Sequence, residues 1–404
     1  MTDGTAPGSP AAPADATRPT DPADPTGAPV LGRVVHVITT LTTGGAERQV
    51  QAITAHSRHP TTVIALYHGG VVADAMAAAG QDVQILGGMD GWAKLTAVPR
   101  LARSLRRLRP DVVQVHLLSA QLWAIPAARL ARIRTVISTE HSLMDTTIEN
   151  RPLTPQLKWL YRGLEALSTH TVAVSRMTRT RLLAWGVADR RITVVDNVID
   201  FAALRFDPAA RDRVRSELGI GPDVQVVGGV GRLEPVKRFP QLLEALAPTL
   251  ARGRRELVLA GDGPLRAELV ARAQALGVTD AVHVLGPRGD VPAVLAAMDV
   301  LVSPSRDETF GMAVIEGMGA GLPVAYAQCP ALDELAEQPA SALPLAPADS
   351  SPDAERSALV TAVQELFSRA PADRTRPDAD VVARYGIEAT ARRLDDLAVR
   401  LARR

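Results

Sequence analysis

Residues 300–320 read VLVSPSRDETFGMAVIEGMGA, and this stretch decides the fold. The apolar run at 300–303 predicts a short buried strand, and the apolar spacing at 312–320 predicts a helix. A polar turn joins the two. In an open parallel sheet such a turn lies beyond the carboxyl end of its strand, where ligands bind. The stretch therefore indicates an α/β protein with a ligand site at this turn.

The same strand–turn–helix pattern recurs along the chain, which is typical of a mainly parallel sheet. Before residue 200, strands are predicted at 34–39, 62–67, 83–86, 112–116, 135–138, 171–174 and 192–195. Helices are predicted between them at 47–56, 71–79, 97–109, 120–131, 156–168 and 176–185. After residue 222, strands are predicted at 225–230, 256–260, 281–285, 300–303 and 323–326, and helices at 240–250, 264–276, 291–297, 312–320, 354–368 and 387–403.

Two lobes are predicted, because 404 residues exceed the roughly 250–300 at which a single hydrophobic core stops growing. A polar stretch at 206–222, with Asp-Pro and Gly-Pro dipeptides, separates them. We predict a disordered tail rich in Pro and Ala at 1–30, an N-terminal Rossmann-like domain at 31–200, a C-terminal Rossmann-like domain at 201–385 and a terminal helix at 386–404.

The composition, 46% hydrophobic and 22% charged, is typical of a soluble globular protein. Cys329 is the only cysteine, which excludes an intramolecular disulfide and a cysteine-rich metal site and suits a reducing cytoplasm. The tail lacks the features of a signal peptide, and no apolar run approaches 18 residues. We therefore expect a cytoplasmic protein. Its net charge is +1, yet residues 33–195 carry 20 Lys and Arg against 10 Asp and Glu.

Glycines follow the first predicted strand of each lobe. In the first lobe Gly44 and Gly45 precede Glu47 at the start of a helix, where the backbone can approach a ligand closely. A plain strand-to-helix turn explains this loop equally well. In the second lobe a glycine turn is followed by Arg232 and Lys237, two cations that suit a diphosphate, although solvated surface cations are the alternative. Neither loop has the Gly-x-Gly-x-x-Gly pattern of an NAD oxidoreductase.

Two glutamates flank the start of the helix predicted at 312–320. Glu308 and Glu316 are eight positions apart, about 80° around a helix after two turns, so both can reach one ligand lying along it. Between them, the N–H groups of Phe310, Gly311 and Met312 are unpaired donors of a helix N-terminus, suited to phosphate or a sugar hydroxyl. A helix cap plus a surface charge is the alternative.

Taken together, these residues resemble the large family 4 of retaining glycosyltransferases, which have the two-lobed B-type fold (GT-B). The resemblance covers residues 33–404. Its motifs are the pair Glu308 and Glu316, Gly231-Arg232-Leu233 with Lys237, Ala260-Gly261-Asp262-Gly263-Pro264, and Thr43-Gly44-Gly45-Ala46-Glu47. It implies two doubly wound Rossmann-like lobes that face a central cleft, with the acceptor on the first lobe, the nucleotide sugar on the second, and a C-terminal helix crossing back to the first lobe.

The resemblance also implies roles for the site residues. Arg232 and Lys237 would hold the donor diphosphate, Glu308 would contact the transferred sugar near its C3 and C4 hydroxyls, and Glu316 would bind the ribose. His141 would face the donor sugar, whereas His116 is more simply explained as a structural histidine. The implied catalytic residues are Glu308, His141, Arg232 and Lys237, and the donor-binding residues are Gly44, Gly45, Arg232, Lys237, Glu308, Phe310, Gly311, Met312 and Glu316.

Two positions depart from the family pattern: Val198 replaces the glycine after Asn197, and Thr309 replaces the Gly or Ser after Glu308. No Asp-x-Asp triplet follows a suitable strand, so we expect neither a metal nor another cofactor. The donor base is a guess from family frequency, UDP first and GDP next. No nucleic-acid partner is expected.

The acceptor is expected to be a lipid-linked or exported glycan, because residues 33–145 resemble transferases that extend such glycans. Arg100, Arg103, Arg106 and Arg107 lie on one predicted helix beside leucines and could contact an anionic membrane. A solvated helix with cations at its C-terminus is the alternative. A soluble secondary metabolite is the second candidate acceptor. A sugar-nucleotide 2-epimerase and a non-catalytic partner protein of the same fold are the other candidate functions.

Overall fold

A computed structural model describes residues 28–42, 44–345, 351–369, 374 and 378–404. The tail predicted at 1–30 therefore lies outside the described residues, apart from 28–30.

The first lobe is built on a seven-stranded parallel sheet in the order β3-β2-β1-β4-β5-β8-β9. Its strands are β1 (Val34–Ile38), β2 (Thr61–Ala65), β3 (Val83–Ile85), β4 (Val112–His116), β5 (Thr135–Glu140), β8 (His170–Ala173) and β9 (Ile192–Val194). β6 (Thr147–Ile148) and β7 (Arg151–Pro152) form a small antiparallel hairpin. The helices are α1 (Gly45–His56), α2 (Val71–Ala78), α3 (Ala97–Leu108), α4 (Leu118–Leu130), α5 (Pro155–Leu167) and α6 (Arg176–Ala184).

The second lobe has a six-stranded parallel sheet in the order β12-β11-β10-β13-β14-β15. Its strands are β10 (Gln225–Val230), β11 (Arg255–Ala260), β12 (Val282–Gly286), β13 (Val300–Ser303), β14 (Val324–Tyr326) and β15 (Ala342–Pro344). The remaining helices are α7 (Pro208–Leu218), α8 (Phe239–Leu250), α9 (Arg266–Ala275), α10 (Val291–Ala297), α11 (Met312–Gly319), α12 (Pro330–Asp333), α13 (Pro352–Arg369), α14 (Ala379–Tyr385) and α15 (Ile387–Ala402).

Both sheets reverse their strand order at a central point, between β1 and β4 in the first lobe and between β10 and β13 in the second. At such a reversal the loops after the two strands diverge and leave a crevice at the carboxyl edge of the sheet. The two lobes are therefore doubly wound as predicted, and each topology brings the loops after its central strands to one place.

The polar stretch at 206–222, in which no helix was predicted, contains α7. Asp207 caps this helix by accepting from the Ala209 N–H, Pro208 occupies its first position, and Gly219 ends it at φ +72°. The Asp-Pro dipeptide is therefore a helix start signal, because proline needs no N–H partner at that position. The hairpin β6–β7, β15, α12 and α14 were also absent from the prediction, since each is too short to show a clear apolar period.

The basic helix α3 turns its apolar side to the core. Leu101 and Leu105 are fully buried, so they cannot enter a bilayer while the lobe is folded. Arg100 donates to the carbonyls of Leu86, Gly87 and Gly88, and Arg106 donates to that of Leu130. These two leucines are therefore not part of a membrane-binding surface, and contact of the α3 arginines with an anionic membrane stays a prediction. Among the described residues, no helix combines the length and the apolar character that crossing a membrane requires.

The terminal helix α15 packs on the first lobe, which confirms the predicted crossing back. Leu394, Leu397 and Leu401 are buried in one cluster with Val34 of β1 and Val112 of β4. The polar side of the helix also reaches the first lobe, because Asp395 accepts from Ser57 Oγ at 2.8 Å and from the Arg58 N–H at 2.9 Å. The end of the chain therefore stabilises the first sheet.

Leu397→Ala should lower the free energy of unfolding by roughly 2–5 kcal/mol, because it removes a buried side chain from this cluster. Urea unfolding followed by circular dichroism measures the change. Arg400→Ala, at an exposed position of the same helix, is the matched control and should change it by less than about 0.5 kcal/mol. Equal effects of the two changes would contradict this packing.

Candidate active site

The carboxyl edges of the two sheets face each other across a cleft of about 560 Å³. Both lobes contribute to its walls. All ten predicted site residues line it: Gly44, Gly45, His141, Arg232, Lys237, Glu308, Phe310, Gly311, Met312 and Glu316. Residues more than 270 positions apart, Gly44 and Glu316, are thus brought to one place by two separate strand reversals, which makes this cleft the candidate active site.

The first glycine loop allows Glu47 to fold back under the cleft. Glu47 is buried and accepts a hydrogen bond from Thr40 Oγ1 at 3.0 Å. A Cβ on Gly44 would collide with the Glu47 carboxylate, the end of a flexible side chain, whereas a Cβ on Gly45 would meet nothing within 4 Å. Gly44 therefore leaves room for the Glu47 carboxylate in its present position, and Gly45 has no such contact.

Gly44→Ala should destabilise the protein by about 1–2 kcal/mol, because Glu47 must leave its partner Thr40 or clash with the new methyl group. Thermal unfolding of the ligand-free protein measures this loss. Gly45→Ala is the matched control and should leave the unfolding temperature unchanged or slightly raised, since alanine favours the first turn of α1. A destabilised Gly45→Ala beside an unaffected Gly44→Ala would contradict the steric argument.

On the second lobe, Lys237 and Glu308 form an ion pair within the cleft wall. Lys237 Nζ donates to Glu308 Oε1 at 2.6 Å, and both side chains are largely buried. Arg232 is half-exposed and donates to Glu234 Oε1 at 2.9 Å. Because charged hydrogen bonds strengthen where water is excluded, the Lys237–Glu308 pair is held in place before any ligand arrives, whereas Arg232 remains partly in solvent.

The N-terminus of α11 opens directly onto the cleft. Gly311 precedes the helix at φ +95°, and a Cβ there would collide with the buried Cys329, so only glycine fits. The Phe310 ring is buried edge-on to Tyr385, which leaves only its backbone for a ligand. The N–H groups of Phe310, Gly311 and Met312 donate to no acceptor among the described residues. These donors and the helix dipole favour an anion at this point.

Glu316 lies one turn further along α11 and lines the same cleft. Its removal from water raises the pKa of the carboxyl group to about 7, while the nearby Arg48 guanidinium acts in the opposite direction. Glu316 therefore changes its charge close to neutral pH. Arg48 follows Glu47 in the first turn of α1 and lines the cleft from the first lobe.

His141 faces the cleft from the first lobe, directly after β5. Burial lowers its pKa to about 4, and a hydrogen bond with the Asn197 side chain acts in the opposite direction. Asn197 lines the cleft beside it. The imidazole is therefore neutral at neutral pH, with one ring nitrogen protonated and the other unprotonated.

The two lobes touch each other around Thr309. Thr309 Oγ1 donates to the His141 carbonyl at 2.7 Å, and Ser175 Oγ donates to the Thr309 carbonyl at 2.6 Å. Arg181, which is buried, donates to the Glu308 carbonyl at 2.9 Å and to Asp307 Oδ1 at 2.9 Å. The backbone that carries Glu308 is thus held by side chains and a carbonyl of the other lobe.

A second bridge starts from the β6–β7 hairpin, whose two-residue turn, Glu149-Asn150, has both φ angles positive. Glu149 lines the cleft and accepts from the Ser119 N–H at the start of α4. Asn150 Nδ2 donates to Glu234 Oε1 at 2.8 Å, the atom that also accepts from Arg232. The hairpin therefore connects the first lobe to a cation of the second.

Sequence reasoning missed Arg48, Arg181 and the Glu149-Asn150 turn. Arg48 could have been identified, because it directly follows the glycine loop at the start of a helix. Arg181 and Asn150 lie far from every recognised motif, and only their tertiary contacts reveal them.

Comparison with known families agrees with this geometry. A family model described as "Glycosyltransferase Family 4" matches residues 43–203, and one described as "Glycosyl transferases group 1" matches residues 224–368. The two matches fall on the two lobes and together include every predicted site residue. The chain belongs to glycosyltransferase family 4.

Several relatives match this family 4 protein over part of its length. It is 32% identical over 248 residues to the 2-deoxystreptamine glucosyltransferase of Streptomyces kanamyceticus, covering 57% of this chain and 62% of that enzyme. It is 31% identical over 242 residues to the GDP-mannose-dependent alpha-mannosyltransferase of Mycobacterium tuberculosis, covering 57% and 60%. The D-inositol 3-phosphate glycosyltransferase of Actinosynnema mirum is 30% identical over 234 residues, covering 53% of each chain. The chain thus spans about half to three fifths of the length of these relatives.

Solved structures share the GT-B fold. The Anabaena protein HepE, solved in complex with UDP and glucose, superposes with a TM-score of 0.75 at 21% identity, covering 91% of this chain and 99% of that one. The sucrose-phosphate synthase of Thermosynechococcus elongatus superposes with a TM-score of 0.69 at 17% identity, covering 91% and 99%. The predicted fold class and family are therefore confirmed.

Proposed function

We propose that this protein transfers a sugar from a nucleotide diphosphate sugar to a hydroxyl group of an acceptor, with retention of configuration. The observation that carries the proposal is the convergence, in one interlobe cleft, of Lys237, Glu308 and the N–H groups at the start of α11, which have no acceptor in the part of the chain that the structure describes. The names of the relatives, which transfer glucose, mannose or another sugar, agree with it. UDP is the first donor nucleotide to test and GDP the second.

In the proposed reaction the bond between sugar C1 and the phosphate oxygen breaks, and the acceptor oxygen bonds to C1 on the same face. The departing phosphate takes the acceptor's proton. Negative charge develops on that phosphate, and preorganised donors stabilise it, each typically contributing about 3 kcal/mol. Lys237, Arg232 and the Gly311 N–H are the proposed donors, and Glu308 and His141 would orient the sugar. A divalent cation is not part of the proposal, because these groups can neutralise the diphosphate.

Lys237→Ala should reduce kcat by about 10²–10³-fold, because it removes one fixed donor to the leaving phosphate. Glu308→Gln should reduce transfer as well, since the amide no longer balances Lys237 or accepts from the sugar hydroxyls. Nucleoside diphosphate release with a panel of donors and acceptors measures both changes.

Lys158→Ala is the matched control for lysine removal, because Lys158 lies on α5, outside the residues that line the cleft. It should transfer sugar at the wild-type rate. Near-normal turnover by folded Lys237→Ala and Glu308→Gln would remove these two residues from the mechanism. Unchanged activity after EDTA treatment is expected, and a loss restored by Mg²⁺ or Mn²⁺ would contradict the metal-independent reaction.

Affinity for a nucleoside diphosphate should rise as pH increases from about 6 to 8. Glu316 ionises near pH 7, and only the carboxylate is a strong acceptor for ribose hydroxyls. The phosphate itself also ionises near pH 6 and adds to the slope. Isothermal titration calorimetry of the wild type and Glu316→Gln separates the contribution of Glu316 from that of the phosphate. In the variant, the part of the pH dependence of affinity that is centred near pH 7 should be lost. Parallel slopes would show that Glu316 does not bind the ribose.

For the acceptor, we propose a soluble polyhydroxylated molecule, such as an aminocyclitol or cyclitol phosphate. Two observations favour it over the lipid-linked or exported glycan expected from the sequence. Leu101 and Leu105 are buried in the core, and the names of the relatives include 2-deoxystreptamine and inositol 3-phosphate. The lipid-linked glycan is the second candidate, supported by the exposed Trp92 and Leu95 just before α3.

Flotation with liposomes containing anionic lipid separates the two acceptors at low salt. If the acceptor is soluble, the protein should not float with the liposomes. Flotation of the wild type that is lost in Trp92→Ala and Arg107→Ala would favour the membrane candidate.

Incubating the donor without acceptor tests for a 2-epimerase, whose product would be an epimerised nucleotide sugar. A non-catalytic role is disfavoured because Glu308, Glu316, Arg232 and Lys237 all line the cleft.

A further inference from the structure

Three histidines form a continuous line from the centre of the first sheet to the cleft. His36 lies within β1, His116 ends β4, and His141 follows β5. In the strand registers His36 is opposite Gln114, and His116 is opposite Thr139. Residues two apart on a strand point to the same face, so each histidine stands on that face two positions nearer the carboxyl edge than the one before.

The three rings are close enough to share protons through hydrogen bonds. His36 Nδ1 lies 3.1 Å from His116 Nε2, and His116 Nδ1 lies 3.0 Å from His141 Nε2. The neighbouring rings are nearly parallel, at 21° and 27°. His36 and His116 are buried, so water does not compete for these contacts.

Burial keeps the whole line neutral at neutral pH. It lowers the pKa of His36 to about 4 and holds that of His116 well below its ordinary value, with the neighbouring histidines acting in the same direction. A neutral imidazole carries one N–H, and both ring nitrogens of His116 are engaged, so one donates and the other accepts. The three N–H groups must therefore point the same way along the line: all three protons lie on Nδ1, or all three lie on Nε2.

We propose that His116 and His36 are positioning residues that fix the tautomer and ring orientation of His141 in the cleft. The functional part rests on the proposed glycosyl transfer, in which His141 faces the donor sugar. The Asn197 amide can turn its oxygen or its NH₂ toward His141, so it follows the tautomer and does not set it. His141 Nε2 is engaged by His116, so a sugar hydroxyl that replaces Asn197 at Nδ1 meets either a donor or an acceptor, but never a mixture.

The first test reads the tautomers directly and needs no turnover. Nitrogen-15 NMR of the full chain labelled in its eight histidines distinguishes protonated from unprotonated ring nitrogens. Single substitutions assign the three signals. His36, His116 and His141 should show one shared tautomer, and two of them holding opposite tautomers would overturn the proposal.

The second test removes the middle of the line. His116→Phe should leave His141 as a mixture of tautomers and lower kcat about tenfold, the scale at which partners that orient a functional histidine are felt. The KM for the acceptor should stay unchanged. His116→Asn retains a polar group near the position of Nδ1 that can donate or accept. It should therefore keep the His141 ring in its orientation without selecting one His141 tautomer, and kcat should be intermediate. If His116→Phe does not fold, His116→Asn carries the test.

His170→Phe is the matched control, because His170 is a buried histidine of the same sheet whose partner is Thr193 at 2.8 Å, apart from the line. It should lose stability without changing kcat or the His141 signals. A single His141 tautomer and normal kcat in both His116 variants would overturn the proposal. If the three histidines share one tautomer but the protein transfers no sugar, the proposed function is refuted and the positioning of His141 by His116 and His36 is retained.

Discussion

The geometry of the cleft depends on the hydrogen bonds by which the first lobe holds residues 307–309. Arg181 holds the Asp307 carboxylate and the Glu308 carbonyl, while Thr309 exchanges hydrogen bonds with Ser175 and His141. These residues lead directly into α11, so the same contacts that join the lobes aim the helix N-terminus across the cleft. Buried charged hydrogen bonds of this kind need every partner, which ties the position of Glu308 to the relative placement of the lobes.

The two walls of the cleft differ in their electrostatics, and that difference suits the proposed reaction. The second lobe offers cations and helix N–H groups, with Lys237 paired to Glu308 in the ligand-free protein. The first lobe offers a neutral imidazole at His141, whose pKa is held near 4 by burial. A donor would thus meet positive groups at its phosphates, and the Glu308 carboxylate with a neutral imidazole at its sugar, an arrangement that requires little reorganisation as charge develops.

The strand–turn–helix units and the two glycine loops were predictable from sequence, because apolar period and turn chemistry are local. Some residues that determine the fold, such as Gly311 before α11, also line the cleft, so the motifs of the candidate site could be predicted from sequence as well. Arg181 and Asn150 were not, since their importance arises only from partners in the other lobe. The burial of Leu101 in α3 was not predictable for a related reason: amphipathic spacing cannot reveal whether a leucine faces a bilayer or a core.

A single diphosphate held between Lys237 and the start of α11 is the central claim, and a crystal structure with UDP or GDP tests it most directly. The phosphate oxygens should lie within hydrogen-bond distance of Lys237 Nζ and of the Gly311 or Met312 N–H, with the ribose hydroxyls at Glu316. A nucleotide bound outside the cleft, or bound there with its phosphates turned away from Lys237 and α11, would contradict the claim.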